Sequence, residues 1–82
     1  MAKRYELTLP ELGLDVGPIA VSLWLVEPGS AVAEGEPVVE VLAGPAVVDL
    51  PSPADGVLVE CLVAEDEPVH VGQVLAVIEA EQ

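Results

Sequence analysis

Three observations on this 82-residue sequence predict an all-β fold. Its apolar runs are short and rich in valine, clusters of Gly, Pro, Asp and Glu separate them, and one part of the chain repeats in another at a fixed offset. Valine-rich runs bounded by turn residues suit short strands joined by tight turns, and no segment sustains a helical period.

In chain order, the first predicted strand is Tyr5–Leu9, stopped by Pro10. The second, Ile19–Val26, starts after Pro18 and stops before the turn at Pro28-Gly29. A short extended piece around Val32 leads to a turn at Glu34-Gly35-Glu36 and a strand over Pro37–Leu42. Val47–Leu50 follows, bounded by Pro51 and Pro53, and the Asp55-Gly56 turn leads into Val57–Val63. After a turn at Asp66-Glu67, a second short piece around Val69 and a turn at Gly72, the last strand is predicted over Gln73–Glu79. Seven of the eight prolines sit at the margins of these runs, where a missing N–H breaks no ladder. The eighth, Pro45, sits at the tip of a predicted hairpin between Leu42 and Val47.

The repeat aligns "LVEPGSAVAEGEPVVEVLA" from Leu25 with "LVAEDEPVHVGQVLAVIEA" from Leu62, at an offset of 37 residues. Leu25/Leu62, Val26/Val63, Val32/Val69, Gly35/Gly72 and Ala43/Ala80 are identical pairs, and Val38/Leu75 and Val41/Ile78 are conservative ones. Two similar half-sheets stacked about a pseudo-two-fold axis would give a flattened antiparallel barrel or sandwich. The same offset places Pro45 opposite residue 82, so the Gly44-Pro45 hairpin and the chain ends should lie at opposite poles.

Length allows one small domain over residues 1–82. Apolar residues make up 52% of the chain, with Trp24 and Tyr5 the only aromatics, so the core must come from Val, Leu, Ile and Ala. A net charge of −13 repels nucleic-acid phosphate and anionic lipid, leaves basic or neutral proteins as partners, and also serves simply to keep a small apolar domain in solution. One cysteine, Cys61, forms no internal disulfide, and the basic start of the chain lacks a following apolar segment, so a cytoplasmic location is expected. No apolar run reaches the roughly 18 residues of a membrane span.

Catalytic residues cannot be nominated: there is no Ser-His-Asp ordering, phosphate-cradling glycine loop or cluster of buried acids. Cys61 and His70 alone do not make a metal site. Cys61 aligns with Trp24 in the repeat and is read as filling a strand position, His70 as a surface residue, and Trp24 as a packing residue.

Three segments together carry a family resemblance: "LPELG" at Leu9–Gly13, "GPIAVSLWLVEPGSAVAEGEPVVEV" at Gly17–Val41 and "VDLPSPADGVL" at Val48–Leu58. In order and spacing the chain resembles a lipoyl domain of the biotinyl/lipoyl attachment-domain family. The resemblance implies a barrel-sandwich hybrid of two four-stranded sheets. It also implies a lysine at the hairpin between the repeats, which is acylated and then carries a mobile arm between active sites, raising its local concentration at each. The family's turn resembles Glu-Thr-Asp-Lys-Ala for lipoate or Ala-Met-Lys-Met for biotin. The aligned residues here are Leu42, Ala43, Gly44, Pro45 and Ala46, which puts Pro45 at the attachment position. Proline has no side-chain nucleophile. Lys3, the only lysine, precedes the first predicted strand at the far pole, so lipoate or biotin is expected only if Lys3 unexpectedly serves.

The resulting expectation is a lipoyl-domain-like, non-enzymatic binding or assembly module with no covalent cofactor. Its partners would be proteins, among them components of a 2-oxoacid dehydrogenase-type complex or a second copy. Contact residues are expected at the tip, Ala43 to Ala46, and in the acidic turns. The alternative is a lipoyl or acyl-carrier domain of such a complex whose hairpin has been altered, naturally or by engineering.

Overall fold

The computed structural model describes residues 2–13 and 17–81. Eight strands follow one another: β1 (Ala2–Thr8), β2 (Ile19–Trp24), β3 (Ala31–Val32), β4 (Pro37–Ala43), β5 (Ala46–Pro51), β6 (Gly56–Cys61), β7 (Pro68–Val69) and β8 (Val74–Glu81). They form two four-stranded antiparallel sheets, ordered β1-β8-β6-β3 and β5-β4-β2-β7. The expected all-β, two-sheet architecture is the one observed.

The pseudo-symmetry reaches the hydrogen bonds. At the 37-residue offset, the Leu25 N–H donates to the Val38 carbonyl (2.8 Å) as the Leu62 N–H donates to that of Leu75 (2.9 Å). Each sheet also reaches across to the other in the same way: the Gly29 N–H donates to the Leu58 carbonyl and the Asp66 N–H to that of Val21, both at 2.7 Å. Register shifts recur too, between Val21 and Leu23 against β4 and between Leu58 and Glu60 against β8. These matched bulges add twist at matched places and help two flat ribbons close over one core.

That core is aliphatic. Val21, Val38, Val39, Val41, Leu58, Leu75 and Ile78 are fully buried, and Leu7, Leu9 and Leu50 close its ends. Each large side chain so buried contributes about 2 kcal/mol relative to exposure, which is how so small a domain with two aromatics holds together. Trp24 lies half-buried against this cluster, and its Nε1–H donates to the Val63 carbonyl at 3.0 Å, so its polar edge is satisfied.

Several boundaries differ from expectation. β1 begins at Ala2, not Tyr5, because Ala2, Lys3 and Arg4 find partners in Glu81, Ala80 and Glu79 of β8. Lys3 therefore lies within the first strand and not before it. Gly56, expected in a turn, opens β6 and pairs with Val32. Leu25 and Val26 fall beyond the end of β2, and Leu62 and Val63 beyond β6, where the chain turns towards the opposite sheet. Residue 82, which the offset sets opposite Pro45, is outside the described residues.

The molecule measures 40 × 21 × 17 Å. The pseudo-two-fold exchanges the β4–β5 ribbon, ending in the hairpin, with the β1–β8 ribbon, which is paired from Ala2 and Glu81 inward. That exchange sets the hairpin and the Ala2–Glu81 end of the β1–β8 ribbon at equivalent positions of the two halves.

Candidate functional site

β4 and β5 remain paired up to Ala43 and Ala46, leaving Gly44-Pro45 as a two-residue loop. Such loops take type I′ or II′ geometry because those twists match the flanking strands. Type I′ needs positive φ at both central residues, which the proline ring, fixed near −65°, forbids. Gly44 has φ +61°, the value required at the first central position of type II′. The pair thus selects a rigid II′ turn, and Pro45 sits where no ladder donor is lost. Gly44→Ala is expected to destabilise the domain by about 1 kcal/mol through strain at positive φ. A lowered urea midpoint, with amide shifts confined to 42–47, would show it.

At the tip Ala43 is buried, Ala46 half-buried, and Gly44 and Pro45 exposed. No ionisable side chain is present among these four residues. Immediately behind them Leu42 and Val47 face each other across the strands and are 42% and 59% exposed. Leu42 is also paired with Ala20, and Ala20 with Pro68, so an apolar row crosses the outer face of this sheet. Neither Leu42 nor Val47 stood out in the sequence, although alternation outward from a two-residue loop places both on the solvent face. Next along the strands comes the acidic pair Glu40 and Asp49.

Much of the acidic turn chemistry is occupied within the fold. The Glu34 N–H donates to Asp55 Oδ1 at 2.6 Å, the Ala33 N–H to Glu36 Oε1 at 3.0 Å, and the Ala64 N–H to Glu67 Oε1 at 3.0 Å. Glu65 Oε2 accepts from the Trp24 N–H at 3.0 Å. These carboxylates satisfy backbone donors that strand ends leave open. The expected contact role of the acidic turns therefore competes with a structural one.

Of the other residues singled out, Lys3 is exposed on β1 and paired with Ala80, in the sheet that does not carry the hairpin. Arg4 bridges Glu60 and Glu79 at 3.4 and 3.3 Å, with Arg4 and Glu60 exposed and Glu79 half-buried, so these pairs add little stability. His70 is exposed, and its N–H donates to Gln73 Oε1 at 3.1 Å. Cys61, half-buried at the end of β6, has its thiol pKa pushed up by burial and stays protonated at neutral pH. Cys61 and His70 are not part of any cluster of three His, Cys, Asp or Glu able to hold a metal, since none exists among the described residues. No described helix is long and apolar enough to cross a membrane.

Residues 5–78 match the Biotin_lipoyl family model, described as "Biotin-requiring enzyme". The dihydrolipoyllysine-residue acetyltransferase component of the pyruvate dehydrogenase complex of Corynebacterium glutamicum is 36% identical over 90% of this chain and 11% of its own length. The lipoamide acyltransferase component of the branched-chain alpha-keto acid dehydrogenase complex of Bacillus subtilis is 33% identical over 93% of this chain and 18% of its own. A third relative, the dihydrolipoyllysine-residue succinyltransferase component of the 2-oxoglutarate dehydrogenase complex of Bartonella vinsonii, is 37% identical over 92% and 18%. The chain thus spans less than a fifth of the length of these relatives.

Proposed function

Because the chain belongs to the Biotin_lipoyl family, we propose that it is a degenerate lipoyl domain: a non-enzymatic module that binds other proteins and carries no covalent cofactor. The observation that carries this reading is the hairpin tip, where the type II′ turn is built from Gly44 and Pro45 and offers no amine. Lipoate and biotin are held in this family through a lysine side chain, and the tip does not fit either group. Lys3, the remaining amine-bearing side chain, is part of a strand instead of a turn, so it is not presented as a ligase substrate on a projecting hairpin.

The relatives named above are components of 2-oxoacid dehydrogenase complexes, which supports a protein partner of that kind for this chain. The second reading, an acyl carrier with an altered hairpin, is favoured by one observation: β4 and β5 are joined by a tight two-residue loop at the position where the resemblance places the attachment turn. The test is the intact mass of the protein purified from its own source. A mass equal to the bare chain supports the binding module. A lipoyl-sized or biotinyl-sized increment overturns it and points to Lys3.

A further inference from the structure

The backbone of β5 has one partner only. In a hairpin closed by two residues, Ala43 and Ala46 form a hydrogen-bonded pair, and the pairs then alternate. Leu42/Val47 and Glu40/Asp49 are accordingly non-hydrogen-bonded pairs, whose N–H and C=O groups turn away from each other. On β4 these groups face β2; the Val38 carbonyl, of the same parity, indeed accepts from the Leu25 N–H. On β5 they face outward from the sheet edge. Val47 and Asp49 find no backbone partner beyond the β4 ladder among the described residues, and both side chains are exposed.

This free edge is bounded by prolines. Pro45 precedes it, and Pro51, next in the same parity, has no N–H to give. Only a short stretch of two outward donors remains, too short for open-ended sheet growth and long enough to seat one extended segment. Its side chains alternate apolar and acidic on the outer face: Val47 with Leu42 beside it, then Asp49 with Glu40 beside it. Both basic residues, Lys3 and Arg4, are in β1 on the other sheet. A second copy is a poor occupant, because antiparallel self-pairing would bring Asp49 towards its own image on a chain of net charge −13.

We infer that the free edge of β5 docks a short extended segment of a partner protein that carries an apolar residue and a Lys or Arg two positions apart. The apolar residue lies over Val47 and Leu42, and the basic one meets Asp49 and Glu40. The inference rests on the binding-module reading and gives that module's partner a chemistry.

The experiment is an amide-resolved NMR titration of the protein with two capped peptides, Thr-Val-Thr-Lys-Thr and Thr-Val-Thr-Glu-Thr. The lysine peptide is expected to shift and protect the Val47 and Asp49 amides while leaving Arg4 and Glu6, the equivalent outward residues of β1, unchanged. The glutamate peptide is expected to bind about fivefold more weakly, the scale of a cross-strand charge reversal. Asp49→Lys, an exposed substitution that leaves the β4 ladder intact, should reverse that preference. Absence of protection at Val47 and Asp49, equal binding of both peptides, or equal response at β1 overturns the inference. So does a concentration-dependent shift of the two amides without peptide, which would assign the edge to a second copy. These outcomes are separate from the intact mass: an unmodified chain without edge binding removes only this inference, and a modified chain removes the module reading.

Discussion

Gly56→Ala is expected to lower the stability of the domain by about 3 kcal/mol. A β-carbon at position 56 would fall on the carbonyl oxygen of Glu79, 2.9 Å from its carbonyl carbon and 3.1 Å from Ile78 Cγ2. The obstacle is backbone, and it belongs to β8, which is held on both sides by β1 and β6. It cannot swing aside as a long side chain would. Relief requires prising β6 away from β8 where Val57 pairs with Glu79, over a core residue, Ile78, with no exposed surface. The usual gain from replacing glycine, a less disordered unfolded chain, is only about 0.4–1 kcal/mol and does not offset this. Against a total of roughly 5–15 kcal/mol for a small domain, the loss is large. Urea unfolding followed by Trp24 fluorescence should show a reduced midpoint with an unchanged slope. A loss below about 1 kcal/mol would mean that the β8 backbone yields, contrary to its packing.

The same position shows what was and was not legible beforehand. Asp55-Gly56 reads as a turn because both residue types favour turns, yet the glycine serves close approach at a strand start. The two-sheet architecture was legible because the 37-residue repeat preserves residue identity at core and turn positions. It did not extend to β1 and β5, which are equivalent at an offset of 43: "KRYELT" and "AVVDLP" share Leu7 and Leu50 and little else. Their equivalence lies in register, since each pairs along one edge with a shift at the same place, Leu7/Thr8 and Leu50/Pro51. Six extra residues in the 9–18 connection, compared with 52–55, account for the change of offset. Likewise Asp66 at φ +70° stands where Gly29 stands at φ +95° in the other half, a match of conformation that residue identity hides.

For the candidate site, the position of the hairpin was legible, since apolar runs flank a Gly-Pro pair. The turn type was not: a proline fixed near −65° bars I′ only in a two-residue loop, and it is the paired ends at Ala43 and Ala46 that fix that length. The exposed Leu42–Val47 pair and the outward parity of Val47 and Asp49 depend on that register. A one-residue slip would exchange inner and outer faces, so neither could be read before the loop length was known.

Installing the family's residues should convert the module into a carrier substrate. In Gly44→Asp/Pro45→Lys, removing the proline lifts the ban on positive φ at the second central position, and aspartate tolerates the left-handed region that Gly44 now occupies at φ +61°. The turn is expected to pass from II′ to I′ while Ala43 and Ala46 stay paired, at a cost of about 1 kcal/mol. The new amine would project from the tip, beside the buried Ala43, on the sheet that does not carry Lys3. With lipoate, ATP and a lipoate ligase, the variant should go from no detectable adduct to essentially complete modification, read by intact mass, while the unaltered chain stays bare. Pro45→Lys alone keeps Gly44, so comparing the two separates the need for the amine from the need for the preceding acid. If the double variant folds, shown by unchanged core amide shifts, and still takes no lipoate, the divergence extends beyond the tip. The apolar Leu42–Val47 pair behind the turn is then the first place to look, because it is the next pair along the strands after Ala43 and Ala46, which close the loop. Modification of the unaltered chain in the same assay would instead assign the chemistry to Lys3 and end the case for a cofactor-free module.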